Sequence, residues 1–160
     1  MPSRWNGNDR IHEWFESEAE NDPEKDFPIK ESVPDYTGKE RKFEITKHEI
    51  GLGFIVQAEE VRKNGLGYFF SAFSPNSPYL ALGRLREKMN KALATRHVIV
   101  KGKKCSPLHD TLEGRIDWDR KNEELFFVVD GRPITLEQMG KTMEMYEGWN
   151  FSLRFIDRSD

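Results

Sequence analysis

The 160-residue chain has one cysteine, Cys105. An intramolecular disulfide and any multi-cysteine metal cluster are thereby excluded. No stretch approaches the roughly 18 consecutive apolar residues that a membrane-spanning helix needs. The first ten residues, Met1 to Arg10, lack the apolar core of a signal peptide. A soluble protein of a reducing compartment is expected, placed in the cytoplasm. A basic surplus is missing too: 25 Lys and Arg stand against 28 Asp and Glu, net −3, so the whole-chain positive character of most nucleic-acid binders is absent. Apolar residues are scarce at 36%. The shortage is concentrated in residues 1–40, which hold Pro2, Pro23, Pro28 and Pro34 and the acidic run Glu16, Glu18, Glu20, Asp22, Glu24, Asp26. Such a segment buries too little apolar area to offset its ordering entropy, which predicts an extended acidic N-terminal arm, irregular over residues 20–40. Within it, Ile11, Trp14 and Phe15 at i, i+3, i+4 predict a short amphipathic helix that docks on the domain or on a partner.

From residue 41 the patterning sharpens. Phe43 and Ile45 alternate with Glu44 and Thr46, Gly51 to Val56 is a short apolar run, and Tyr68 to Phe73 follows the turn dipeptide Asn64-Gly65. These read as three strands in meander order. Ser77 as N-cap and Pro78 at the first helical position start a helix. Its stripe is Leu82, Leu85, Met89, Ala92 and Leu93, and it ends near Thr95. Val98 to Val100 begins a new strand. Ile116 and Trp118 alternate with charge, Leu125 to Val129 is a continuous apolar strand, and Asp130-Gly131 is a hairpin turn signal leading into Arg132 to Ile134. Thr135 and Gln138 form a capping-box pattern, with Ile134 and Met139 placed as a hydrophobic staple. The second helix carries Leu136, Met139, Met143 and Tyr146 on one face, and Gly148 sits where a C-terminal glycine belongs. Trp149, Phe151, Leu153 and Phe155 then alternate with polar residues, which predicts a final strand with one apolar face. Runs of strands interrupted by single helices predict an α+β class: an antiparallel sheet with two main helices packed on it. The division expected is an arm and linker over 1–40 and a single α+β domain over 41–160.

Three stretches of the C-terminal third form a signature: Gly114 to Asp119, Val129 to Thr135, and Glu147-Gly148-Trp149-Asn150-Phe151-Ser152-Leu153 running on to Asp157. The signature resembles that of a family of small uncharacterised bacterial proteins, and Leu82 to His97 is similar to that family's central helix. The resemblance covers about two-thirds of the chain. It implies a bacterial cytosolic protein with no catalytic residues and no cofactor to carry over.

Residue types that do chemistry are present but do not assemble. Cys105, His109 and Asp110 lie within six positions, yet a zinc site needs a second ligand pair, and His12, His48 and His97 are scattered. Lys101, Lys103 and Lys104 would favour a Cys105 thiolate, with His109 as base, but catalytic partners ordinarily converge from distant segments. Neither a G-x-S-x-G elbow nor a phosphate-binding loop occurs. Glu113, Asp117 and Asp119 are read as the solvent face of the strand whose other face holds Ile116 and Trp118. Trp118, Trp149 and the phenylalanines are read as core. Catalytic and metal residues are therefore assigned to none.

One feature rises above this background. Residues 1–60 carry net −7, residues 61–104 net +9, and residues 105–160 net −5. A basic helix and the loop after its following strand thus sit in an acidic chain. Arg84, Lys88 and Lys91 follow i, i+4, i+7, and Lys103 and Lys104 follow the next strand; these five are the candidate site for a polyanion or an acidic partner. The expected function is a non-enzymatic binding or regulatory module whose ligand is another protein or a second copy of itself. The alternative is nucleic-acid binding through residues 84–104, and a small-molecule enzyme is the remaining, least favoured class.

Overall fold

A computed structural model of the chain describes residues 26–62 and 66–160. The Ile11–Phe15 helix, the acidic residues from Glu16 to Glu24 and the Asn64-Gly65 turn lie outside the described residues. The architecture is mixed α+β, and the described residues form nine strands in three antiparallel sheets and two helices. The expected single sheet is therefore replaced by sheets of four, two and three strands.

Four strands form the first sheet as a meander: β1 (Ile29–Pro34), β2 (Glu40–Ile50), β3 (Gly53–Glu60) and β4 (Phe69–Ser74). β1 corrects the expected linker. Its composition is polar, but Ile29, Glu31 and Val33 turn inward while Lys30, Ser32 and Pro34 stay exposed, and β2 supplies a full antiparallel partner. Period two, rather than overall hydropathy, decides the state of so short a segment. α1 (Pro78–Ala94) packs across the sheet. The Ser77 hydroxyl accepts from the Tyr79 N–H and Pro78 occupies the first turn, as the sequence predicts. Ala81, Leu82, Leu85, Met89 and Leu93 bury against Phe43, Ile45, Val56, Ala58 and Ala72 to make the first core.

A charged knot closes one end of this sheet. Arg41 Nε donates to Asp35 Oδ2 at 2.9 Å and Arg41 Nη1 to Glu60 Oε2 at 3.2 Å. Glu60 Oε1 accepts from the Tyr68 N–H, and Asp35 Oδ1 accepts from the Thr37 and Lys39 N–H groups. Burial would raise the Asp35 carboxyl, but the hydrogen bonds from Thr37 and Arg41 outweigh it and hold its pKa at about 2.

The remaining elements are β5 (Val98–Lys101), β6 (Lys104–Pro107), β7 (Arg115–Asp119), β8 (Glu124–Val129), β9 (Arg132–Thr135) and α2 (Leu136–Glu144). β5 pairs with β6, and β7, β8 and β9 form the third sheet in that order. Asp130 and Gly131 make the two-residue turn between β8 and β9, both with positive φ (52° and 73°). The capping box at Thr135 and Gln138 is complete. Val98, Cys105, Val129, Ile134 and Met139 make the second core.

Three expectations for this half are overturned. Trp149 to Phe155 form no strand: Trp149 is 61% exposed, Phe151 89%, Leu153 70% and Phe155 74%. Alternation specifies which side chains share a face but supplies no neighbouring strand, and none of the described strands pairs with this segment. β7 shows the expected alternation with its sides reversed. Ile116 and Trp118 are exposed, while Arg115, Asp117 and Asp119 are half-buried. Arg115 causes the reversal: its guanidinium donates to the Gly67 carbonyl, lies over the Phe69 ring and pairs with Asp117, so that face turns toward β4. In α2, Met139 and Thr142 are buried, whereas Leu136 and Met143 face solvent.

The two cores meet at the Asp130-Gly131 turn. Asp130 Oδ2 accepts from the His97 N–H at 2.8 Å and the Val98 N–H at 3.0 Å, and Oδ1 hydrogen-bonds His97 Nδ1 at 2.9 Å. Arg62 donates to the Gly131 carbonyl at 2.7 Å. A Cβ on Gly131 would stand 2.7 Å from two atoms of the Tyr68 ring, so only glycine admits that ring.

Leu85→Ala removes a fully buried side chain and should cost about 2–5 kcal/mol, whereas Trp149→Ala should cost under about 1 kcal/mol, as read by urea denaturation followed by circular dichroism. Arg41→Ala leaves two buried carboxylates without their cation and should cost about 3–5 kcal/mol in the same assay. Because the folded pKa of Asp35 lies below its unfolded value, its contribution to stability is full above about pH 4 and is lost as pH falls toward about 2. An acid titration of wild type should show that loss, and Asp35→Asn should flatten it.

Candidate interaction surfaces

The five basic residues singled out by charge are only partly brought together. Arg84, Lys88 and Lys91 line a shallow hollow of about 510 Å³ beside β4, with Ala72, Phe73, Glu87, Ser159 and Asp160. Lys104 opens β6 and Lys103 lies in the turn before it; both are exposed, and neither lines the hollow.

Two of the three cations in the hollow are already engaged. Arg84 Nη1 donates to the Phe73 carbonyl at 2.8 Å and Lys88 Nζ to the Ser71 carbonyl at 2.8 Å. β4 is an edge strand, and carbonyls two residues apart on a strand point the same way. One helical repeat, i and i+4, therefore places two donors along the open side of β4. Partial burial draws the Lys88 pKa down, with Asp160 and Asp157 opposing it. The acidic residues beside the patch are thus Asp157, Asp160 and Glu87. Composition locates the basic stripe, but which donors meet a neighbouring backbone depends on how α1 sits on the sheet.

Cys105 and His109 sit in different surroundings. Cys105 is buried in the second core, and burial pushes its thiol pKa up, away from thiolate. His109 is exposed. Among the described residues no three His, Cys, Asp or Glu side chains converge as metal ligands. Glu113 stands apart from Asp117 and Asp119, with its Oε2 3.6 Å from His97 Nε2.

A second surface is apolar. Of fifteen large apolar side chains exposed among the described residues, eleven lie between Leu108 and Ile156, so the exposure belongs to one half of the chain. Its origin is visible in the third sheet. Ile116 pairs with Phe127, Trp118 with Leu125 and Phe127 with Ile134, so these five side chains share one face. Ile134 is buried in the second core and Phe127 packs against it, which leaves the Ile116–Trp118 end uncovered. Residues 149–156 add five more exposed apolar side chains in one continuous stretch. Patterning alone reads such residues as core, because it cannot count the elements available to cover a face.

Binding of duplex DNA should therefore be weak. With Arg84 and Lys88 held on carbonyls, about three contacts from Lys91, Lys103 and Lys104 would give a log–log salt slope no steeper than about −3, measured by anisotropy of labelled duplex.

Family comparison divides the chain where the two cores divide. Residues 25–94 match a domain of unknown function, DUF7686, and residues 96–160 match a second, DUF7713. Thr95, between them, is the C-cap of α1. No curated protein and no solved structure matches the chain.

Proposed function

We infer that the protein is a non-enzymatic binding or regulatory module of the bacterial cytoplasm, and that it takes a protein partner, or a second copy of itself, through the apolar surface of residues 108–156. The observation that carries this reading is the stretch from Trp149 to Ile156. Five large apolar residues are each more than 60% exposed there, in a segment with neither helix nor strand. Isolated exposed apolar residues are ordinary, but contiguous ones mark interaction sites. Aromatic residues also lead the composition of interface hot spots.

The nucleic-acid alternative draws less support, since Arg84 and Lys88 serve β4 and Asp160 shares their hollow. The bacterial cytoplasmic assignment rests on the resemblance of the Gly114–Asp160 signature.

The test is affinity capture on the full chain from a bacterial cytosolic extract, with protein, RNA and DNA fractions analysed separately. Wild type should retain specific protein, and Phe151→Asp combined with Phe155→Asp should lose it while melting within about a degree of wild type, as surface changes do. Retention of nucleic acid alone, or retention unaffected by the two substitutions, would overturn the reading.

A further inference from the structure

The first and third sheets differ in how their edges are finished.

The four-stranded sheet closes the edge of β4 with Arg84 and Lys88. Among the described residues no lysine or arginine reaches a β7 carbonyl; its one capped group is the Trp118 N–H, which donates to Asp117 Oδ1 at 2.9 Å. Among the described strands β7 is the edge of its sheet, paired with β8, and its Ile116 and Trp118 are 45% and 53% exposed. An unpaired strand edge with exposed apolar side chains at period two is a template for another strand of the same period. This chain carries one. Phe151, Leu153 and Phe155 are at period two, and polar Asn150, Ser152 and Arg154 fall between them.

Charge and the apolar pairs together select a register. The other face of β7 carries Asp117, already paired with Arg115, and Asp119, which caps the turn at Lys121 and Asn122; an incoming acidic side chain would be repelled there and a cation accepted. The added segment offers one cation at the matching parity, Arg154. Antiparallel pairing that sets Arg154 opposite Asp117 also sets Leu153 opposite Trp118 and Phe155 opposite Ile116. Both apolar pairs then lie on the face that the chain leaves uncovered, and Ser152 meets Asp119. Shifting by one residue would send the apolar side chains to the face of Asp117.

Resting on the protein-binding reading above, we propose that the partner is a second copy of this chain: residues 150–156 of each protomer add as a strand to the β7 edge of the other, with Arg154 facing Asp117. The exchange is reciprocal, so a closed two-fold dimer forms in which neither β7 edge and neither 150–156 segment is left unpaired.

The experiment uses the full chain throughout. Sedimentation should give wild type twice the chain mass, and Leu153→Asp should return it to the chain mass without loss of circular dichroism. The Trp118→Cys/Leu153→Cys variant places two thiols at a cross-strand position; on mild oxidation it should run as a disulfide-linked dimer, whereas either single substitution should not. An intramolecular disulfide in a monomer would mean that the segment closes on its own β7, and overturns the proposal. A wild-type dimer indifferent to Leu153→Asp, or without the cross-link, overturns it as well, since another surface would hold the copies. A wild-type monomer overturns it outright. In that last case, capture of a different protein lost on Phe151→Asp/Phe155→Asp would leave the protein-binding reading standing, and absence of any capture would remove both.

Discussion

The carboxylate of Asp130 joins the two halves of the molecule. It accepts the N–H groups of His97 and Val98, where the chain leaves α1 and enters the second core, and it meets the His97 ring as well. A buried carboxylate with three donors loses little on leaving water. Removing those donors would strand a charge, and removing the carboxylate would strand two backbone N–H groups. The adjoining Gly131 completes the joint, since its carbonyl takes Arg62 and its missing side chain makes room for Tyr68. The same turn therefore reverses β8 into β9, terminates the path out of α1 and seats the first half on the second. The boundary between the two family matches, beside Thr95, is bridged by this turn.

Charge in the middle of the chain has a structural use that composition alone conceals. A surplus of Lys and Arg beside acidic flanks suggests a surface for a polyanion. Two of those side chains reach instead to backbone carbonyls of an edge strand. A lysine or arginine on an edge discourages further pairing, because an incoming strand must displace it. The contrast with β7 follows. One edge is protected by a neighbouring helix, and the other presents apolar side chains guarded by two aspartates.

Much of the fold is legible in the sequence where local rules act alone. Ser77-Pro78, Thr135 with Gln138, and Asp130-Gly131 each specify a local geometry through their own backbone and side-chain chemistry, and each is found there. The stripe of α1 is legible because a helix with one apolar face has a single way to lie on a sheet. Legibility fails where a partner decides. β1 lies in a polar, proline-flanked stretch and exists because β2 is alongside. The side of β7 that turns inward is chosen by Arg115, drawn to Gly67 and Phe69, residues almost fifty positions earlier. Residues 149–156 carry the alternation of a strand, but no described strand lies beside them as a partner. The five basic candidates share a sequence neighbourhood, but only three share a place.

Tyr68 shows what a tight joint demands of a polar side chain. Its ring stacks on Phe70 at 5.8 Å between centroids and lies against Gly131, and its buried hydroxyl has no hydrogen-bonding partner among the described residues. Burial, with Asp130 next, drives its pKa well above that of an ordinary phenol. Ionisation of that ring is disfavoured while the halves stay closed. In an alkaline titration the absorbance of tyrosinate would then arise in two stages, first from accessible rings and last from Tyr68, and the late stage would mark the pH at which the seam itself comes apart. A single chromophore thereby separates opening of the joint from melting of either core.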